Sequence, residues 1–210
     1  MEANSDAALA ELITCVLRLC GCNSAVDSHI VVDSDGVVDF LADLVEELKE
    51  VWALLSPWRE VYSWTAQSES HQYPLASRAL AFRKLRKSIS EFFDRLVASS
   101  FENETLFSTE LIPTLQTWVV AMSSAQLRSF RHTATVVALE LESALSSVAA
   151  VIEKEAEMIN RQREGERKRR KGSHKSSERD NSLQKKASEI KDKRTKMNEY
   201  LKEFFDGYVA

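Results

Sequence analysis

The chain has 210 residues, 44% of them hydrophobic, with 5 Gly and 3 Pro, which allows one core or a short helical array and argues against a sheet-rich fold with many tight turns. Its net charge of −4 hides a split: residues 1–77 hold 3 Lys/Arg against 13 Asp/Glu, a net of −10, whereas residues 161–196 hold 15 against 6, a net of +9. No apolar run approaches the roughly 20 residues of a membrane span and no signal peptide opens the chain, so the expectation is a soluble intracellular protein without a membrane partner.

The first predicted element is an amphipathic helix over Ala7–Cys20, with Leu9, Leu12, Ile13, Val16, Leu17 and Cys20 inward, ending at Gly21. The cysteines, Cys15, Cys20 and Cys22, crowd one segment and are odd in number. They read as reduced thiols in the cytosol or nucleus. Zinc held by them and His29 is the sharper alternative, and no metal is expected. Asp33-Ser34-Asp35-Gly36 precedes a second helix, Val37–Leu55, whose positive end the acids suit. A calcium loop would need further ligands at spacings that do not follow. Pro57 closes this helix. Trp58 to Pro74 then holds two Trp and two Tyr, either an ordered segment packed on the body or an exposed aromatic partner site.

A third helix is predicted over Arg78–Ser99, with Leu85, Ile89, Phe92, Phe93 and Leu96 as its core face. Arg83 and Lys87 point the opposite way, with Lys84 and Arg86 between. Such a face is either solvated or a phosphate-contact surface. The next helix covers about Leu106–Met122, with Pro113 kinking or breaking it and Trp118 in the core. Ser123-Ser124-Ala125-Gln126 reads as a capping box. The helix it opens carries one apolar stripe, Leu127, Phe130, Ala134, Val137, Leu141, Leu145, Val148 and Ile152, and a second through Val136 and Leu139. A helix apolar on two sides is packed between neighbours, like an inner helix of an α-solenoid. Arg128 and Arg131 beside this stripe are either phosphate contacts near a helix N-terminus or partners of carboxylates and carbonyls between helices. His132 reads as a hydrogen-bonded core residue rather than a metal ligand.

From Asn160 to Ser182 there is no apolar residue beyond glycine, so this stretch cannot bury a face. Gly172 to Asn181 is the predicted turn. The chain returns as a helix with Leu183, Ala187, Ile190, Met197, Leu201 and Phe204 at heptad-like intervals. The product is an antiparallel hairpin over 155–205 with an apolar base and a basic tip. Arg167, Lys168, Arg169, Arg170 and Lys171 form the tip, and Lys185, Lys186, Lys191, Lys193, Arg194 and Lys196 follow on the return. Three readings stand: nucleic-acid backbone binding, a nuclear localisation signal, or a solvated arm. No glycine-rich phosphate loop, nucleophile elbow or paired-His metal helix is present in the sequence, and neither enzyme activity, a cofactor nor a small-molecule substrate is expected.

The order Cys20-Gly21-Cys22, an acidic helix, Tyr73-Pro74-Leu75, the basic Phe82-Arg83-Lys84-Leu85-Arg86-Lys87, a Trp-Val helix at Trp118-Val119 and then Arg128-Ser129-Phe130-Arg131-His132-Thr133-Ala134-Thr135 before a charged hairpin resembles the STAG domain of the stromal-antigen subunits of cohesin, in its fungal-like form. The resemblance implies an all-α, HEAT-like helical array with a projecting antiparallel hairpin. It divides the chain into an acidic N-terminal segment, 1–72, with an atypical aromatic stretch at 51–72, and a STAG-like helical domain, 73–210. It further implies several hundred residues of following helical repeats, where the main kleisin-binding surface lies. Its functional implication is a nuclear, chromatin-bound cohesin accessory module that supports sister chromatid cohesion and chromosome segregation in mitosis, with double-stranded DNA, kleisin and other cohesin subunits as partners. DNA contacts would fall on Arg83, Lys84, Lys87, Arg128, Arg131, Arg167–Lys171, Lys185 and Lys186. The alternative is a helical interaction scaffold whose basic arm serves nuclear import or docks an acidic partner.

Overall fold

The structure is a computed structural model that describes residues 2–32, 36–54, 73–77, 80–169 and 178–209. Seven α-helices run through the described residues: α1 Glu2–Leu19, α2 Ser28–Val32, α3 Gly36–Leu54, α4 Leu85–Glu102, α5 Leu111–Ser123, α6 Arg128–Arg169 and α7 Glu178–Val209, with a single 3-10 turn at Leu80–Phe82. The fold is the expected all-α array with a projecting hairpin. Of the aromatic stretch at 51–72, residues 51–54 complete α3 and the remainder lies outside the described residues, as does the hairpin tip at 170–177.

Helix ends follow local chemistry. The amide of Cys22 donates to the Leu17 carbonyl and that of Gly21 to Arg18, with Gly21 at φ 87°. This is a Schellman stop, which requires a left-handed residue just past the helix. It ends α1 before Cys22, so Cys15 and Cys22 do not share a helix face. The same wiring ends α4: Thr105 donates to Ser100, Glu104 to Phe101, and Glu104 takes φ 59°. Glutamate there carries the strain that a glycine avoids.

Several boundaries differ from the sequence reading. The helix expected over Arg78–Ser99 begins only at Leu85, so Arg83 and Lys84 sit in the turn ahead of it. Ile89, Phe93 and Val97 form its buried face, while Phe92 is 45% exposed. The helix expected over about Leu106–Met122 starts only at Leu111, so the break falls two residues ahead of Pro113 and α5 itself is not kinked. Pro113 occupies the first turn, where its missing N–H would have had no intrahelical acceptor. The capping box does not form either. The Ser123 and Ser124 hydroxyls donate backward to the Val120 and Ala121 carbonyls, finishing α5 rather than starting α6.

α6 is the axis of the molecule. Phe130, Ala134, Val137, Leu141, Leu145 and Ile152 are all buried, covered by α4, α5 and α7. A stretch of α6 is long and apolar enough to cross a bilayer by composition, but its apolar stripe is spent on these neighbours. On the second stripe Val136 is buried, whereas Leu139 is 58% exposed. Phe101 at the end of α4 lies under Lys193 of α7, and the neighbouring Arg194 pairs with Glu153 of α6 at 2.6 Å. With Tyr73, ahead of α4, bonded to His132 at the start of α6 and the α4 end level with Glu153, α4 and α6 run parallel, with α5 and α7 returning beside them. Leu183, Met197 and Phe204 bury the inner face of α7. Trp118 is a core residue as expected, 1% exposed and edge-on to Phe40 of α3.

Candidate nucleic-acid interface

The basic residues are delivered to two places. Arg83 and Lys84 are exposed in the turn before α4, and Arg86 and Lys87 are exposed in its first turn. Because α4 and α6 are parallel, this group lies toward the α6 N-terminus, where Arg128 is also exposed. Arg167 and Lys168 are exposed far along the same helix, on the projecting arm, with Lys185 and Lys186 exposed on the return. Arg169 is described only as the last residue of α6, and Arg170 and Lys171 lie outside the described residues. At about 1.5 Å per helical residue, Arg128 and Arg167 are roughly 58 Å apart. The candidates thus form two patches at opposite ends of one rod.

Not every candidate cation is equally available. Lys87 pairs with Glu91 at 3.6 Å and Lys185 with Glu189 at 4.0 Å, each one helical turn on. Such exposed pairs contribute only a few tenths of a kcal/mol and yield readily to a phosphate. Arg131 is committed more firmly: its guanidinium donates to the carbonyls of Ala125 at 2.8 Å and Gln126 at 2.6 Å, tying the α5–α6 loop to the first turn of α6. Of the two readings left open for Arg131, the structure shows the carbonyl partner. On the return arm Lys196 donates to the Phe107 carbonyl at 3.0 Å, Lys193 lies 3.8 Å from Glu104, and Arg194 clasps Glu153. These cations dock the hairpin on the body. Arg86 stood only as a flanking charge in the sequence. Exposure and the absence of any ion pair among the described residues place it with Arg83 and Lys84.

The segment around Arg131 works as a junction. The Tyr73 hydroxyl sits 2.7 Å from His132 Nδ1 and 3.1 Å from Thr133 Oγ1, and the two rings meet edge to face. His132 is hydrogen-bonded, as expected, but it is exposed rather than in the core. Thr133 is fully buried; the nearby Cys20 thiol donates to the Val16 carbonyl at 3.6 Å, and burial pushes it up to about 12. Burial likewise raises the Tyr73 phenol, and Arg128 nearby opposes that shift. One residue cluster thus joins the end of α1, the Tyr73–Leu75 lead-in and the start of α6. Cys20 and Cys22 are buried and Cys15 is exposed, all as free thiols. Among the described residues no group of His, Cys, Asp or Glu could hold a metal ion.

A family model described as the STAG domain matches residues 71–186, a span that takes in the candidate cations from Arg83 to Lys186 and ends before Lys193, Arg194 and Lys196. The cohesin subunit psc3 of Schizosaccharomyces pombe is 29% identical over 203 residues, covering 97% of this chain and 19% of psc3. The cohesin subunit SA-3 of Rattus norvegicus is 26% identical over 148 residues, covering 70% of this chain and 10% of its own length. The cohesin subunit SA-1 of Xenopus laevis is 24% identical over 148 residues, again 70% of this chain and 10% of its own. The chain therefore spans a fifth or less of the curated relatives it matches.

Proposed function

The chain belongs to the STAG-domain family, and from that membership we propose that it is a non-enzymatic module of a cohesin accessory subunit, acting on chromatin in the nucleus and binding double-stranded DNA through its backbone. Sister chromatid cohesion and chromosome segregation are the processes it serves on this reading. Kleisin and other cohesin subunits are its protein partners. The observation that carries the DNA reading is the pair of exposed basic patches at the two ends of α6. Arg83, Lys84, Arg86 and Arg128 make one, and Arg167 and Lys168 make the other; in sequence Arg169, Arg170 and Lys171 follow directly. Unpaired guanidinium and ammonium groups on a helical surface suit phosphates rather than base edges, and the arm from Asn160 to Ser182 has no Phe, Tyr or Trp to stack on bases. Lys87 and Lys185 join by exchanging their carboxylate partners, while Arg131 is assigned to the loop.

The separation of the patches sets a test. Duplex DNA rises about 3.4 Å per base pair, so spanning roughly 58 Å takes about 17 base pairs. A duplex of about 25 base pairs engages both patches, whereas one of about 10 engages one at a time. Fluorescence anisotropy at fixed salt should show the longer duplex binding at least ten times more tightly per site, with random and fixed sequences equivalent. Equal affinity per site for the two lengths would contradict a two-patch surface.

A further inference from the structure

Away from both basic patches, α5 keeps one face uncovered. Pro113, Thr117, Val120, Ala121 and Ser124 follow one another at helical spacing and form the floor of a cleft of about 650 Å³. Val38 of α3 makes one wall, and Glu203, Asp206 and Gly207 of α7 make the other. The helix around this face is otherwise apolar: Ile112, Leu115, Trp118, Val119 and Met122 are all buried beneath it. A helix apolar over most of its circumference is covered on all sides in a finished assembly. The cleft floor carries no long side chain, and among the described residues the charged groups lining it, Glu203 and Asp206, are both carboxylates. Gln116 also lines it, and its side-chain oxygen is buried without a donor among the described residues. Val38 is 62% exposed at the rim.

We propose that the α3–α5–α7 cleft is a docking groove for a helical segment of another protein that bears aliphatic side chains on one face and Lys or Arg on its flank. The floor is about 11 residues, or roughly 16 Å, long, which accommodates about three turns of a partner helix. Ala121 and Ser124 let a partner helix approach α5 closely, as helix-in-groove recognition requires, while Gly207 lets α7 close on Val120 to form the wall. The cationic flank follows from the acceptors: Glu203, Asp206 and the Gln116 oxygen offer no donor to an incoming segment, and an acidic segment would meet only repulsion. The Tyr200 phenol reports the same field, since burial and then Glu110, Glu203 and Glu199 raise its pKa. This groove is independent of the DNA reading and is the opposite of the patches in sign.

A display library of about 15-residue helical peptides, selected on the whole chain and counter-selected on the Thr117→Arg variant, tests the proposal. The enriched sequences should carry leucine-like residues at i, i+3 or i+4, and i+7, with Lys or Arg beside them. A representative peptide should bind at least ten times more weakly to Glu203→Lys/Asp206→Lys, and Thr117→Arg should abolish binding while its circular dichroism and melting profile match the parent. Three results would each overturn the proposal: no enrichment, enrichment of sequences lacking cations, or affinity indifferent to Glu203 and Asp206. Self-association of the chain in sedimentation, lost in Thr117→Arg, would assign the groove to a second copy and overturn it as well.

Discussion

Arg131 illustrates how the family-typical segment works at the level of single residues. A guanidinium at a helix start is a natural phosphate contact, yet here two loop carbonyls hold it. Replacing it with alanine frees those carbonyls and should cost about 1–2 kcal/mol of stability, while leaving DNA affinity nearly unchanged. Tyr73 is the other half of the junction. Tyr73→Phe removes the bonds to His132 and Thr133 and should lower the urea midpoint by the equivalent of about 1–2 kcal/mol. The thiols give a sharper test. At pH 8 a thiol reagent should label Cys15, which is exposed, and spare Cys20 and Cys22, which are buried. The Cys20 thiol ionises at about 12 in the fold against 9.0 ordinarily. Its contribution to stability is therefore complete below about pH 9 and is lost as pH rises toward 12, at up to about 1.4 kcal/mol per pH unit. A Cys20→Ala variant should show a shallower alkaline loss in denaturant titrations. An identical loss would contradict the assignment.

At the level of elements, the apolar periodicity fixed what it could. The α6 stripe from Phe130 to Ile152 is buried where the pattern placed it, and on α7 Leu183, Met197 and Phe204 are buried while Ala187, Ile190 and Leu201 are half-buried, because burial along one face leaves a periodic signal. Boundaries were less legible. The Ser123–Gln126 motif fits the end of one helix as well as the start of the next, since a serine hydroxyl can bond forward to an amide or backward to a carbonyl. The basic turn at Arg83–Lys84 was read as helix because the alternation of apolar and charged residues continues through it, although Leu80 there is 88% exposed. Three substitutions probe these elements by thermal unfolding. Glu104→Gly relieves a left-handed residue but gives up the exposed ion pair with Lys193, and should stabilise by about 0.5–1 kcal/mol net. Gly165→Ala meets nothing within 4 Å and should add about 0.5–1 kcal/mol. Gly207→Ala should instead destabilise by about 1–2 kcal/mol, because its Cβ would fall 2.8 Å from Val120 Cγ2, and overpacking against a stiff side chain outweighs the gain in helix propensity.

For the whole molecule, charge distribution matters more than total charge. A net of −4 would suggest indifference to DNA, yet residues 161–196 carry a net of +9 while residues 1–77 carry −10. The sequence showed that block and the second patch, because runs of Lys and Arg need no fold to be seen. It could not separate the free cations from those that dock the hairpin. Lys193, Arg194 and Lys196 look like the others in sequence, and only the placement of Glu104, Glu153 and the Phe107 carbonyl beside them distinguishes their role. Charge reversal at these three should loosen the hairpin before it affects DNA.

The most direct test of the central claim is the salt dependence of duplex binding by fluorescence anisotropy, for the parent chain and for two charge reversals, Arg83→Glu/Lys84→Glu/Arg86→Glu and the Arg167–Lys171 run changed to Glu. If about five phosphates are neutralised, log K should fall with a slope of about −4.5 against log salt, and each reversal should lower both the affinity and the slope. No binding at about 50 mM salt, or binding that neither reversal weakens, would contradict the DNA reading and leave a helical scaffold whose arm serves import or docks an acidic partner.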